Sequence, residues 1–134
     1  MYCFDTDILS AVLRKDPPLH LLRRLAVVPP AAQFTTSINL GELLFGAARK
    51  GSAKLVEKVR EVVGRAQIVL AFDEAAAEVY GPLRATLERQ GRRLDEPDLR
   101  IASIALANKL IVVTGNVRHF ARVPELQIEN WLAE

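Results

Sequence analysis

Met1-Tyr2-Cys3-Phe4-Asp5-Thr6-Asp7-Ile8-Leu9-Ser10 opens the chain with an apolar run that stops abruptly on two carboxylates. The run has the length of a short buried strand, and a strand that exits into Asp5-Thr6-Asp7 places charge at its carboxyl end, where open α/β sheets bind ligands. Asp is also a good N-cap, so Asp5 or Asp7 equally suits the start of a helix over about Ile8 to Arg14. Site and cap both remain open on this stretch alone, but either way it reads as a strand feeding a helix.

The same switch of period recurs along the chain. Asp16-Pro17-Pro18 is a turn whose proline opens a helix from Leu19 to Val27. Gln33-Phe34-Thr35-Thr36 reads as a second strand, after which Leu40, Leu43, Leu44 and Ala47 recur at amphipathic helical spacing up to Gly51. A helical segment over about Ala53 to Arg65 leads into the strand Ile68-Val69-Leu70. Asp73 caps a long helix that runs through Tyr80 and Leu87 to Gln90 and stops at Gly91, followed by a polar loop over residues 92–96. Pro97 suits the first turn of a helix with an apolar face of Ile101, Ala102, Ile104, Ala105 and Leu106, ending at Asn108-Lys109. The β-branched strand Ile111-Val112-Val113, its polar exit Thr114-Gly115-Asn116, and a last strand over residues 127–129 before Trp131 complete the pattern. Short apolar strands alternating with helices imply crossover units, hence an α/β/α sandwich around a mostly parallel sheet.

At 134 residues the chain has the size of one domain, expected to span residues 1–134 without repeat or linker. Half of the residues are hydrophobic and a quarter charged, a composition that excludes disorder. The single cysteine, Cys3, lies in the first apolar run and reads as a buried core thiol. No stretch approaches the ~18 apolar residues of a membrane span, and acids stand where a signal peptide carries bases, so a cytoplasmic protein is expected. The net charge of +2 is a weak pointer to nucleic acid. It gains meaning if acids gather in one place, because Arg23-Arg24, Arg49-Lys50, Lys54, Lys58 and Arg92-Arg93 then leave the remaining surface distinctly basic.

Four polar residues lie at element boundaries that a parallel sheet brings together: Asp5, Glu42, Asp98 and Asn116. Each has a plainer explanation. Asn39-Leu40-Gly41-Glu42 fits the spacing of a capping box, Asp98 suits the positive end of its helix, and Asn116 suits a turn. Taken together they suggest chemistry. Carboxylates crowded within a few ångströms repel unless a cation lies between them, and an all-oxygen donor set suits Mg²⁺ or Mn²⁺. Such an ion activates water and neutralises charge on a phosphate oxygen, which is metal-assisted phosphodiester hydrolysis. Other constellations are poorly represented: His20 and His119 lack a metal-binding spacing, although His119 could touch a substrate phosphate. There is no GxxxxGK[ST] loop, Cys3 has no activating partner, and the few aromatics are not interleaved with bases.

The segments FDTDILSAVLR, TTSINLGELLFGA, GRRLDEPDLRIASIALA and IVVTGNVRHFARVPELQIENW, in this order and spacing, resemble the PIN-domain ribonucleases, and within them the VapC-type toxins of bacterial toxin–antitoxin pairs. The resemblance covers nearly the whole chain. It implies a three-layer α/β/α fold and a Mg²⁺- or Mn²⁺-dependent endoribonuclease acting on RNA. It further implies a cognate VapB-like antitoxin that lays a C-terminal segment across the cleft, and a homodimer formed through helical surfaces. Asp5, Glu42 and Asp98 match the first three acids of the family, Asp5 and Asp98 as metal ligands and Glu42 as a group that orients water or coordinates indirectly. Asn116 stands at the family's fourth acidic position and adds no charge, which puts a second tightly bound metal in doubt. Asp7 also departs from the asparagine that often follows the first acid and threonine. Two alternatives stay open. Asp5-Thr6-Asp7 behind a strand also resembles a haloacid-dehalogenase-type phosphatase with Asp5 as nucleophile and Thr36 or Ser37 in the next motif, although residues 114–116 lack that family's acid pair. The other is a non-catalytic module that binds a protein partner.

Overall fold

The computed structural model describes residues 1–133, with the side chains of all but residues 64 and 65. Five strands form one sheet: β1 (Tyr2–Phe4), β2 (Gln33–Thr36), β3 (Ile68–Leu70), β4 (Ile111–Val113) and β5 (Ile128–Glu129). Their spatial order is β3-β2-β1-β4-β5, and every neighbouring pair is parallel. The helices among the described residues are α1 (Thr6–Val12), α2 (Leu19–Ala26), α3 (Ser37–Arg49), α4 (Ala53–Val59), α5 (Glu74–Arg89), α6 (Glu96–Ala107) and α7 (Val117–Phe120). The α/β/α sandwich expected from the alternating periods is therefore present. Sequence periodicity missed the short α7 and a 3₁₀ turn at Pro30–Ala32. It also joined into one helix what is α4 followed by a π-helical turn over Arg60–Arg65.

Adjacent side chains of a strand face opposite sides of the sheet, and both sides here are covered. Cys3 of β1 and Val112 of β4 pack with Leu83, Leu87, Leu99, Ile101 and Ala105 from α5 and α6. Phe4 and Val113, one residue further on, pack with Ile8, Leu9, Leu21, Leu43 and Trp131 on the other side. Burial, assisted by the charge of Asp5, pushes the Cys3 thiol up to about 12, so it is the inert core thiol that its position in the sequence implied. Trp131 holds the far end of the chain against β1: its ring meets Tyr2 and Phe4 edge-on at 4.9 and 5.3 Å, and its Nε1 donates to Glu129 Oε1 at 2.9 Å.

The helix ends show why the chain turns where it does. Asp73 caps α5 by accepting from Ala76 N, and Gly91 stops it at φ 65° while Arg92 N donates back to Leu87 O at 2.8 Å. The end of α6 has the same pattern, with Leu110 N donating to Ala105 O at 2.9 Å, but the left-handed position is held by Lys109 at φ 55°. A lysine there carries a steric cost that glycine avoids. Lys109→Gly should therefore stabilise the protein, by about 0.5–1 kcal/mol once the added chain entropy of glycine is subtracted. Urea unfolding of the two proteins measures this.

The first strand lies at the centre of the sheet. From it the chain steps outward to β2 and β3 on one side, then returns to place β4 and β5 on the other. The carboxyl ends of β1 and its neighbours therefore open on a topological switch point, where a crevice forms outside the strand ends.

Candidate active site

Asp5 follows β1 directly and does both things that its sequence context allowed. It is the N-cap of α1, with Oδ1 accepting from Thr6 N at 2.8 Å, and it is also buried in the crevice at the end of the sheet. Oδ1 accepts a second bond from Asn39 Nδ2 at 3.0 Å, and Oδ2 accepts from Thr114 Oγ1 at 2.7 Å. A carboxylate offers about four lone-pair directions, so roughly one, on Oδ2, stays uncommitted.

Glu42 reaches the crevice from the second turn of α3. The capping box at the start of that helix is formed by Thr36 and Asn39 rather than by Asn39 and Glu42 as the spacing had allowed. Thr36 Oγ1 accepts from Asn39 N, and Asn39 Oδ1 accepts from Thr36 N. Glu42, freed from that task, accepts from Thr6 Oγ1 at 2.7 Å. Thr36 is thereby committed to the cap, which removes it as a phosphatase motif.

Asp98 lies in the first turn of α6, whose N-cap is Asp95 and whose first turn holds Pro97. Loss of hydration, then the charge of Asp5, pushes the Asp98 carboxyl up to about 6. Glu42 and Asp95 add to the rise, while His119, with Nδ1 3.6 Å from Asp98 Oδ2, opposes it. Asn116 occupies the N-cap position of α7 but makes no side-chain cap bond; its Nδ2 lies 2.9 Å from His119 Nδ1.

These residues meet. Asp5, Thr6, Asp7, Glu42, Asp98, Gly115 and Asn116 line one open cleft of ≈ 470 Å³, so all four sequence candidates share it. His119 borders the cleft through Asp98 and Asn116, whereas His20 bonds Leu132 O at 3.0 Å. Asp7, an unusual residue in the sequence, accepts from Gly115 N with Oδ2 at 2.8 Å, and burial followed by the charge of Asp5 raises its pKa. Its Oδ1 is buried with no hydrogen-bond partner among the described residues. A Cβ on Gly115 would stand 2.7 Å from Asp7 Oδ2 and 3.0 Å from Leu132 Cδ1. Gly115→Ala should thus destabilise the protein by roughly 1–3 kcal/mol, the usual cost of overpacking, and Asp7→Ala should restore most of it. Unfolding of the single and double variants reads this directly.

Periodicity did not single out the residues that orient these acids. Thr6 and Thr114 look like ordinary turn and strand-end residues, and Asn39 was legible only as a possible cap. The fold supplies what the sequence lacks: β4 pairs with β1 in the register Phe4↔Val113, so Thr114, one residue on, lies beside Asp5.

The donor set fits a hard divalent cation. Every group in the cleft offers oxygen, and Asp5 keeps an uncommitted lone pair. No group of three His, Cys, Asp or Glu side chains among the described residues closes into a metal cage. Mg²⁺ keeps several waters and takes one or two carboxylates.

The PIN domain family matches residues 2–126. The chain belongs to the PIN-domain family. Among its PIN relatives, the tRNA(fMet)-specific endonuclease VapC of Shigella flexneri is 40% identical over 130 residues, 97% of each chain. The VapBC2 structure of Rickettsia felis, bound to a DNA fragment from its promoter, superimposes with a TM-score of 0.88 at 28% identity, covering 97% of this chain and 98% of that one. The DNA-bound VapBC structure of Salmonella typhimurium gives 0.82 at 32% identity, covering 97% of each. Membership in the PIN family replaces the phosphatase alternative, and PIN-domain VapC nucleases generally depend on a divalent metal.

Proposed function

We propose that the protein is a Mg²⁺- or Mn²⁺-dependent endoribonuclease, the toxin of a type II toxin–antitoxin pair. It would act in the cytoplasm as one PIN-like unit over residues 1–134, as a homodimer, with a VapB-like antitoxin as its inhibitory partner. The observation that carries this reading is that Asp5, buried and held by Thr6 N, Asn39 Nδ2 and Thr114 Oγ1, lines one cleft together with Asp98 and Glu42. Carboxylates so placed destabilise each other until positive charge joins them.

In this reading Asp5 and Asp98 hold the metal. The ion, when bound, lowers the pKa of water and neutralises charge that develops on the scissile phosphate. Glu42, held by Thr6, presents its free oxygen to the cleft and orients the attacking water. Asn116 contributes an amide instead of a fourth carboxylate, which weakens the case for a second tightly held ion. RNA enters over a surface whose cations outnumber its anions once these acids are set aside, so affinity should fall as salt rises.

The test is incubation of the antitoxin-free protein with RNA in Mn²⁺ and in chelator. The Shigella flexneri relative makes tRNA the first substrate to try. Cleavage in Mn²⁺ that stops in chelator is expected. Intact RNA in both, from a folded protein that fails to bind Mn²⁺, would instead support the non-catalytic module.

A further inference from the structure

We propose that Asn39 is a positioning residue that fixes Asp5 and Glu42 relative to each other, and that the metal affinity of the cleft depends on it. This rests on the metal-dependent reading of the site given above.

Asn39 is fully buried, and both ends of its amide are used. Nδ2 donates to Asp5 Oδ1 at 3.0 Å and to Thr6 Oγ1 at 3.0 Å. Oδ1 accepts from Thr36 Oγ1 at 2.6 Å and from Thr36 N at 3.3 Å. Two donors and two acceptors is the full capacity of the group, so the amide orientation is set by its neighbours. Thr6 then passes the constraint on: its Oγ1 accepts from Asn39 and has one proton left, which it donates to Glu42 Oε1 at 2.7 Å. One amide, tied to the end of β2 by Thr36, therefore aims a carboxylate from β1 and, through a hydroxyl, a carboxylate from α3. A cap alone requires only Oδ1. The two bonds from Nδ2 point to the site, and removing polar partners behind metal ligands typically costs about 10–100-fold in metal affinity or activity.

Three variants separate this role from the cap. Asn39→Ala removes all four bonds. Asn39→Asp keeps an oxygen for Thr36 and replaces Nδ2 by an acceptor, so that the bonds to Asp5 and Thr6 are lost and a like charge is set against Asp5, while a carboxylate in the first turn of the helix suits its dipole. Ser52→Ala deletes a cap remote from the cleft, in which Ser52 Oγ accepts from Leu55 N. Mn²⁺ affinity would be measured by calorimetry without RNA, and tRNA cleavage at saturating Mn²⁺ on the same samples. Asn39→Ala should weaken Mn²⁺ binding by about 10–100-fold, and Asn39→Asp should lose at least about tenfold in kcat with KM for RNA nearly unchanged. Ser52→Ala should lower the unfolding midpoint and move neither quantity. Wild-type Mn²⁺ affinity in Asn39→Ala, or wild-type kcat in Asn39→Asp, would overturn the proposal. A wild-type protein that binds Mn²⁺ but cuts no RNA would overturn the nuclease reading instead, with the affinity arm still deciding the role of Asn39.

Discussion

Asp5→Asn should lower RNA cleavage by more than about 100-fold and leave the protein folded. The magnitude follows from its place: groups behind metal ligands cost about 10–100-fold when removed, and a ligand itself costs more. The fold survives because the hydrogen bonds have a neutral equivalent. An asparagine Oδ1 still accepts from Thr6 N and Asn39 Nδ2, and asparagine caps helices as well as aspartate does. Its Nδ2 then faces Thr114 Oγ1, which already accepts from Asn116 N and has a second lone pair for the amide. The substitution has a second readout that needs no RNA. The charge of Asp5 is the second largest cause of the raised pKa of Asp98, so carboxyl titration by NMR should show Asp98 moving down from about 6. Unchanged titration of Asp98 would mean that the two acids do not share the cleft in solution.

Metal should stabilise the wild-type protein strongly and Asp98→Asn hardly at all. A ligand that binds only the folded state stabilises by about 2.7 kcal/mol at 100 times its dissociation constant. Asp98→Asn should forfeit most of that increment. In chelator the sign reverses. The folded Asp98 holds its proton more tightly than the unfolded chain does, so its ionisation costs stability progressively from about pH 4 up to about pH 6, and the cost is constant above that. Asp98→Asn should therefore be more stable than wild type at pH 7 without metal, and equally stable near pH 4. Denaturant unfolding at the two pH values, with and without saturating Mn²⁺, gives all four comparisons. An Asp98→Asn protein less stable at pH 7 in chelator, with its Mn²⁺ increment intact, would place Asp98 among the structural groups of α6.

The order of elements was legible because their periods differ sharply. Cys3 and Phe4 alternate between two buried faces, Leu40, Leu43, Leu44 and Ala47 mark one side of α3, and Gly91 and Pro97 punctuate the turn between α5 and α6. Short elements without a full period escaped: α7 has only Val117–Phe120, and the π-helical turn after α4 keeps the apolar spacing of an ordinary helix. The acids were visible for the same reason that strands were, since each stands where an apolar run ends or a helix begins. Their surroundings were not. Whether Asn39 pairs backward with Thr36 or forward with Glu42 depends on which residue leaves the strand last, and local spacing allows both. The contacts of Asn39 with Asp5 and Thr6, more than thirty residues away in the chain, arise only once β1 and β2 lie side by side.

The most direct test of the metal-dependent acid cleft is the rate of RNA cleavage measured against fractional Mn²⁺ occupancy, determined on the same solution, for wild type and Asp98→Asn. The rate should rise in proportion to occupancy in wild type, vanish in chelator, and stay near zero in Asp98→Asn at every Mn²⁺ concentration that fills the wild-type site. Cleavage that persists undiminished in chelator, or that Asp98→Asn performs at the wild-type rate, would contradict the account.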